Sequence, residues 1–487
     1  MNASVFIIFA CILLALVLGI LARRGKDMSL EQWAVGGRGM GTIFIFILLA
    51  GEIFTTYTFL GSSGFAYGNG GAAFFGVGVL PYIIAYFLLP TIWKYAKKHK
   101  LLSQSDFFAK KYNSTALGVI VAVVGVVALI PYVVVQLQGL GNIVYEASYG
   151  LVSPTVAIVI GVVVTSIYVA ISGIHGSAWT ALVKDFLMLV VIVFMGIYLP
   201  IHYFHGIKSM FVDINTVKPG FLTLPSKGLS PSWYISTMIL TSFGFYMWPH
   251  LFTASFAAKS EKALRRNIPI SMLYALFGIF VLFIGFAAFL KVPGLTGANI
   301  DLSLFQIAKI SFAPWFVGVI GAGGLLAAIV PGALMLMTAA MLLSKNIYKV
   351  MRPSTSDTQL GMLTRFLVPV VALVAMYFTL TGNSAIMTLY LMGYSLVTQL
   401  FPTLVFSLLK RNPITTAGAI TGIVCGLATV AYITLSNSTI GSMFPFFPQW
   451  VKDLNVGIIA LIVNIVVTTV VSLFTKKEVV VSEQVSI

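Results

Sequence analysis

Charge is what this chain has least of. Only 9% of its 487 residues are charged, against about 25% in ordinary soluble domains. With 59% hydrophobic residues and a mean hydropathy of +1.01, that scarcity excludes a soluble globular fold. Cysteine is nearly missing. Cys11 and Cys425 both lie inside apolar runs, which excludes a disulfide framework and a cysteine metal site. The chain has no Walker-type phosphate loop, so it is not expected to pump with ATP. It has no zinc-protease helix motif and no nucleophile elbow, and no enzyme activity is expected. Gly68 to Gly71 falls between apolar runs and reads as a turn, not a dinucleotide site. No hydrophilic domain interrupts the apolar segments.

What is present is a series of long apolar runs. Thirteen can cross about 30 Å of hydrocarbon: 3–22, 41–66, 72–93, 115–145, 154–173, 177–204, 232–256, 268–290, 312–344, 361–380, 384–409, 416–435 and 453–475. The expected fold class is an all-α polytopic membrane protein with 13 transmembrane helices. With the N-terminus outside, 22 of the 29 basic residues fall inside and six outside, with Lys184 in a span. Asp and Glu number only 13, and the net charge is +16. That excess reflects the positive-inside rule and gives an N-out, C-in topology; no nucleic-acid partner is expected. Arg23, Arg24 and Lys26 follow the first run and no basic residue precedes it. This is the reverse of a cleaved signal, so the run reads as a retained helix. The loop at 205–231 is a candidate gate cover. The basic loop at 94–111 is expected to carry a short surface helix, and the tail from Lys476 is expected to be disordered.

Two runs are interrupted at corresponding places. Run 41–66 is broken at Gly51, and run 232–256 at Gly244 and Pro249. The second lies five runs after the first, and an odd offset inverts orientation. Paired interruptions of this kind point to the binding site of an inverted-repeat transporter, although Gly and Pro are frequent in membrane helices generally. Polar residues flank both breaks. An unwound helix at mid-membrane exposes peptide groups that lipid cannot satisfy. The N-terminal end of a half-helix favours an anionic group there.

The ionisable residues in these runs are the candidates for chemistry. A Lys or Asp at the bilayer centre costs roughly 2.5–3.5 kcal/mol. Lys184 and Asp185 interrupt run 177–204. Lys184 is about 10 Å from the inner end by helical rise, so it either faces a pathway or snorkels to headgroups. Asp185 need not pair with it, since neighbours point apart on a helix. Glu52 lies about 16 Å into its run, as a cation ligand or proton acceptor, or as a protonated side chain in a helix interface. His250 reads as a proton relay or gate, or as a hydrogen-bonded core histidine. Gln136 and Gln138 are polar groups expected to face the interior. Tyr57, Tyr246, Tyr390 and Gln399 are weaker candidates.

The chain resembles the sodium:solute symporter family. The likeness rests on Ala34-Val35-Gly36-Gly37-Arg38, the Gly51-to-Gly61 segment, Trp179-Thr180, Pro249-His250 and Asn346-Ile347-Tyr348-Lys349, in order along nearly the whole chain. Within it, Ile130-Pro131-Tyr132 through Gln136-Leu137, Lys184-Asp185, Trp248-Pro249-His250, Arg265-Arg266-Asn267 and Ala327 through Pro331 look most like the monocarboxylate permease branch. The resemblance implies a leucine-transporter-type 5+5 inverted-repeat core. Residues 1–40 would form a flanking helix and loop, 41–204 the first repeat, 232–409 the second, 416–475 two further flanking helices and 476–487 a tail. In sodium-coupled members the ion site would fall on Gly51, Phe54 and Ala327, plus two hydroxyl side chains.

The sequence departs from that pattern. The hydroxyl positions fall on Val330 and Pro331, or on Pro331 and Gly332, and none has a side-chain oxygen. A hard cation wants several oxygen ligands. Lys184 is therefore expected to place its ammonium where sodium would sit, with coupling to protons or none; a bound cofactor is not expected, and Na+ and H+ stay open as the coupling ion. The one Arg inside a run is Arg365, at the inner end of 361–380 and remote in sequence from both breaks, so a small carboxylate would bind through backbone N–H groups after Gly51 with Thr55 and Thr56. Tyr57, Gln136, Gln138, Tyr246 and Trp248 complete the expected substrate site, and Glu52, Lys184, Asp185 and His250 the coupling group. The expected function is import of a monocarboxylate, or of a proline-like amino acid, across the cell membrane. A solute sensor and an intramembrane enzyme are the more distant readings. Lipid and a small solute are the only partners expected.

Overall fold

The computed structural model describes residues 3–25 and 29–475. Lys26 and the tail from Lys476 lie outside the described residues. Among the described residues the regular secondary structure is helical, with one isolated bridge between Met40 and Ala258. Eight helices are long and apolar enough to cross a membrane, or nine if the bent pair Tyr57–Gly76 and Leu80–Lys98 is one span. The expected count was thirteen spans, two of them broken. The difference has a physical origin, because several apolar runs are not single rods. Run 41–66 divides into Thr42–Ala50 and a second piece from Tyr57 through Asn69. Run 232–256 divides into Pro231–Gly244 and Pro249–Ser255. Run 72–93 is displaced: a tight turn covers Gly70–Gly76 and the helix runs Leu80–Lys98.

Runs 154–173 and 177–204 form one 51-residue helical stretch, Pro154–Phe204, kinked at Gly173. There φ is 52° and ψ is −146°, a region essentially confined to glycine. A side chain would also meet the Trp33 carbonyl.

The centre of the molecule is Pro314–Met341, whose membrane-length window is wholly enclosed by other helices. Thr115–Ala147, Pro154–Phe204 and the first helix Ala3–Arg23 surround it. Thr416–Leu435 and Val456–Phe474 pack on each other. Gly418, Gly422 and Gly426 recur every fourth residue and abut Ser472, Thr468 and Asn464. Small residues at that spacing let two membrane helices approach closely.

The loop at 94–111 does carry a helix, Gln104–Lys111, but it is not a surface helix: Phe107 and Phe108 are both 0% exposed. Its adjacent phenylalanines face the core, and a Ser103–Asp106 capping box fixes its start. Asp106 accepts from Lys345 Nζ at 2.6 and 2.5 Å and from Asn346 Nδ2 at 2.7 Å. Burial raises the Asp106 carboxyl, but the Lys345 ammonium together with the hydrogen bonds from Leu102 N and Asn346 outweighs it and holds the group below the usual carboxylate range. On the same basic face, Met40 N donates to Ala257 O at 3.0 Å and Lys259 N donates to Met40 O at 2.8 Å. Those two bonds strap the start of the first broken helix to the end of the second. The loop at 205–231 carries Ile207–Val217, with Met210 and Ile214 turned inward.

Candidate functional site

Both breaks lie at the heart of the fold. The first helix of the pair ends at Ala50, and regular helix resumes only near Thr56. The peptide groups between them have lost their helical partners, and two of the freed carbonyls are taken by a side chain. Lys184 Nζ donates to Phe54 O at 2.9 Å and to Gly51 O, and stands 3.0 Å from Asp185 Oδ1. Lys184 is 0% exposed. The long lysine stem lets it reach its immediate neighbour although the two leave the helix in different directions. The Asp185 contact is one of charge, since neither Asp185 oxygen has an aligned hydrogen bond. Three donors thus face two carbonyls and a carboxylate.

The positions at which the family resemblance implies hydroxyls carry none. Val330 packs with Ile47 and Ala181. Ala327 is buried in the same helix, Pro331 is interior to it, and a side chain at Gly332 would meet Gln136 at 3.6 Å.

The second break has a local cause. Pro249 opens the helix Pro249–Ser255. A residue before proline is pushed out of the helical region, and Trp248 has φ −58° and ψ 122°. The half-helix that follows carries His250, whose Nε2 lies 3.2 Å from Glu52 Oε2, both side chains being buried. Glu52 and His250 therefore bridge the two breaks. Glu52 Oε2 and both His250 ring nitrogens lack an aligned hydrogen bond.

More polar atoms lacking an aligned hydrogen bond accumulate on and beside the broken segments. They are the Thr55, Thr56 and Thr253 hydroxyls, Gln136 Nε2 and Trp248 Nε1, all buried. Gln136 Oε1 accepts from Thr56 N at 3.3 Å. Buried polar groups in native proteins are overwhelmingly hydrogen-bonded, so this concentration marks a place built for something else to complete. Beside it is a cavity of about 80 Å³, lined by Glu52, Tyr57, Thr58, Tyr82, Tyr132, Thr241, Ser242, Tyr390 and Tyr394 among others. Tyr57 stacks on Tyr390 with centroids 3.4 Å apart, and Trp248 lies 4.6 Å from Tyr132 and 5.4 Å from Tyr394.

Two expected residues stand apart. Gln138 Nε2 donates to Ser384 O at 3.0 Å, in the loop before helix Ile386–Val397. Tyr246 is buried against Phe245 and does not line the cavity. Tyr82, Tyr132, Tyr394, Thr241, Ser242 and Thr253 were not among the expected site residues. For Thr241 and Ser242 a signal existed: two hydroxyls directly before the Gly244 break. The tyrosines gave none, since aromatic residues in apolar helices are mostly packing.

The model of the family described as Sodium:solute symporter family matches residues 33–426. The chain is 58% identical to the "Uncharacterized symporter YhjB" of Bacillus subtilis (strain 168), over 98% of each. It is 29% identical to the "Monocarboxylate transport permease protein" of Rhizobium johnstonii, over 83% of each. It is 24% identical to a "Sodium/proline symporter" of Staphylococcus aureus, over 98% of this chain and 94% of that one. Its fold is that of a solved Na+-coupled sialic acid symporter in a substrate-bound outward-open state: TM-score 0.78 over 98% of each chain, at 18% identity.

Proposed function

The chain belongs to the sodium:solute symporter family and is a multi-pass integral membrane protein, and from that premise we infer that it is a secondary active symporter importing a small organic carboxylate by alternating access. The reading takes thirteen spans, N-out and C-in, around a 5+5 inverted-repeat core. It places the solute at the first break, against the Thr55 and Thr56 hydroxyls, Gln136 and Trp248. Those four groups do not line the cavity of about 80 Å³, which adjoins them at Glu52, Tyr57 and Tyr132; its small size suits an entering monocarboxylate of lactate, pyruvate or acetate size.

One observation carries the coupling half of this reading. Lys184 hydrogen-bonds the carbonyls of Gly51 and Phe54, the two that the family resemblance assigns to sodium. A fixed ammonium there supplies the positive charge without an ion, and the hydroxyl ligands are missing at Val330, Pro331 and Gly332. Transport then runs on a proton gradient or on the solute gradient alone, with the Glu52–His250 contact between the breaks as the coupling group.

A second reading is favoured by a different observation. Glu52 is the only charged residue lining the cavity among the described residues. An amino-acid solute would set its ammonium against that carboxylate, among tyrosine faces that favour a cation.

Counterflow into proteoliposomes separates these. Labelled lactate and proline are offered against unlabelled propionate, propionamide and alanine. Competition by propionate and not by propionamide is expected. Competition by alanine and not by propionate selects the amino-acid reading, and competition by propionamide equal to that by propionate contradicts carboxylate recognition.

A further inference from the structure

Away from the breaks, on the basic face, is a cleft of about 570 Å³. It lies where helix Ala3–Arg23 ends, where Thr42–Ala50 begins and where Pro154–Phe204 kinks at Gly173. Arg24 and His175 line it, with His175 Nε2 3.2 Å from Gln32 Oε1, together with the apolar Leu18, Leu21, Phe44 and Trp179. Leu21 is 55% and Trp179 45% exposed. Hydrophobic surface of that extent on a membrane protein faces lipid, and tryptophan favours the interfacial level. Arg23, Arg24 and Lys26 against the single Asp27 leave two net positive charges in this stretch of sequence. Arg38 is committed elsewhere, to Glu31 and to the Leu101 carbonyl.

We propose that this cleft is a binding site for an anionic phospholipid, its phosphodiester at Arg24 beside His175 and one acyl chain along Leu18, Leu21, Phe44 and Trp179. Two features support it. A basic group at headgroup level above an apolar floor has the polarity of a lipid, and basic pockets between helices on the cytoplasmic side are suited to anionic headgroups. The wall is also kept open. Gly36, at φ +60°, lines the cleft, and a side chain there would project onto Met40 and the His175 ring. Met40, at the same wall, makes both bonds of the strap to Ala257 and Lys259. The lipid thereby braces the strap that must part if the breaks are to open toward the basic face.

The test uses the full chain in nanodiscs of POPC with one quarter POPG, extracted and examined by native mass spectrometry and thermal unfolding. Wild type is expected to retain POPG at least threefold over POPC and to unfold at a higher temperature in POPG-containing discs than in POPC discs. Arg24→Glu should lose both differences while unfolding normally in POPC. Retention of POPC equal to POPG overturns the proposal, as does an Arg24→Glu variant that behaves as wild type. If Arg24→Glu fails to fold, Leu21→Arg, which places a charge on the apolar floor, is the second variant, with the same loss expected and wild-type retention again contradicting. An equal rise in unfolding temperature from inorganic phosphate in POPC discs also overturns it, since the site would then take a small anion without its lipid.

Discussion

Lys184 has two carbonyls and a carboxylate within reach of its side-chain nitrogen. Removing one partner of a buried ion pair strands the other, at about 3–5 kcal/mol. Lys184→Ala is therefore expected to lower the unfolding temperature markedly and abolish uptake. Lys184→Ala combined with Asp185→Ala should recover much of the lost stability, because no carboxylate is then left alone; a double variant less stable than the single one would contradict the pairing. For the solute, a hydrogen bond to a charged group contributes about 1.5–3 kcal/mol. Thr55→Val or Gln136→Leu should raise KM about tenfold or more with the protein still folded, and an unchanged KM removes those residues from the site. The depth of Lys184 and Glu52 was legible in the sequence, since a charge in an apolar run stands out. For Lys184 the family resemblance also named the carbonyls of Gly51 and Phe54, to which its Nζ donates. The partner of Glu52 was not legible, because nothing in local periodicity joins it to His250.

At the scale of the element, breaks decide the architecture. Both were readable as Gly and Pro inside apolar runs, and Thr416–Leu435 matches the reading to the residue. The kink that joins two runs into Pro154–Phe204 was not, because continuity across Gly173 depends on a backbone conformation and on the Trp33 contact. The inward face of Gln104–Lys111 was hidden for a related reason: its basic neighbours read as surface, while Phe107 is buried against Tyr95 and the sequence-distant Phe252. Gly173→Ala is expected to lower the unfolding temperature by several degrees, since it adds a strained conformation of about 1–3 kcal/mol to a clash. Gly361→Ala, in helix Asp357–Thr381 with open space around it, serves as the contrast. It should be neutral or stabilising, as alanine is preferred over glycine in a helix by about 1 kcal/mol. Equal effects of the two substitutions would contradict the account of the kink.

Across the whole molecule, the loop Gly297–Leu302 is tied to helix Ile386–Val397 by Asp301, whose Oδ2 accepts from Ile386 N at 2.9 Å. Its other oxygen is buried without a partner, and burial raises the carboxyl from 3.8 to about 7. The folded state then binds more protons than the unfolded chain between those values, so stability falls as pH rises through the window. The unfolding temperature should decline from pH 5 to pH 8, and Asp301→Asn should flatten that decline. A decline of the same size in the variant would assign it to other groups.

The account as a whole turns on what occupies the cation position at the first break. Uptake into proteoliposomes, with an inward sodium gradient, an inward proton gradient, or neither, reads this directly. The account predicts that a proton gradient or the solute gradient alone drives uptake, and that replacing sodium by choline leaves the rate unchanged. Uptake that strictly requires sodium and ignores the proton gradient would contradict it.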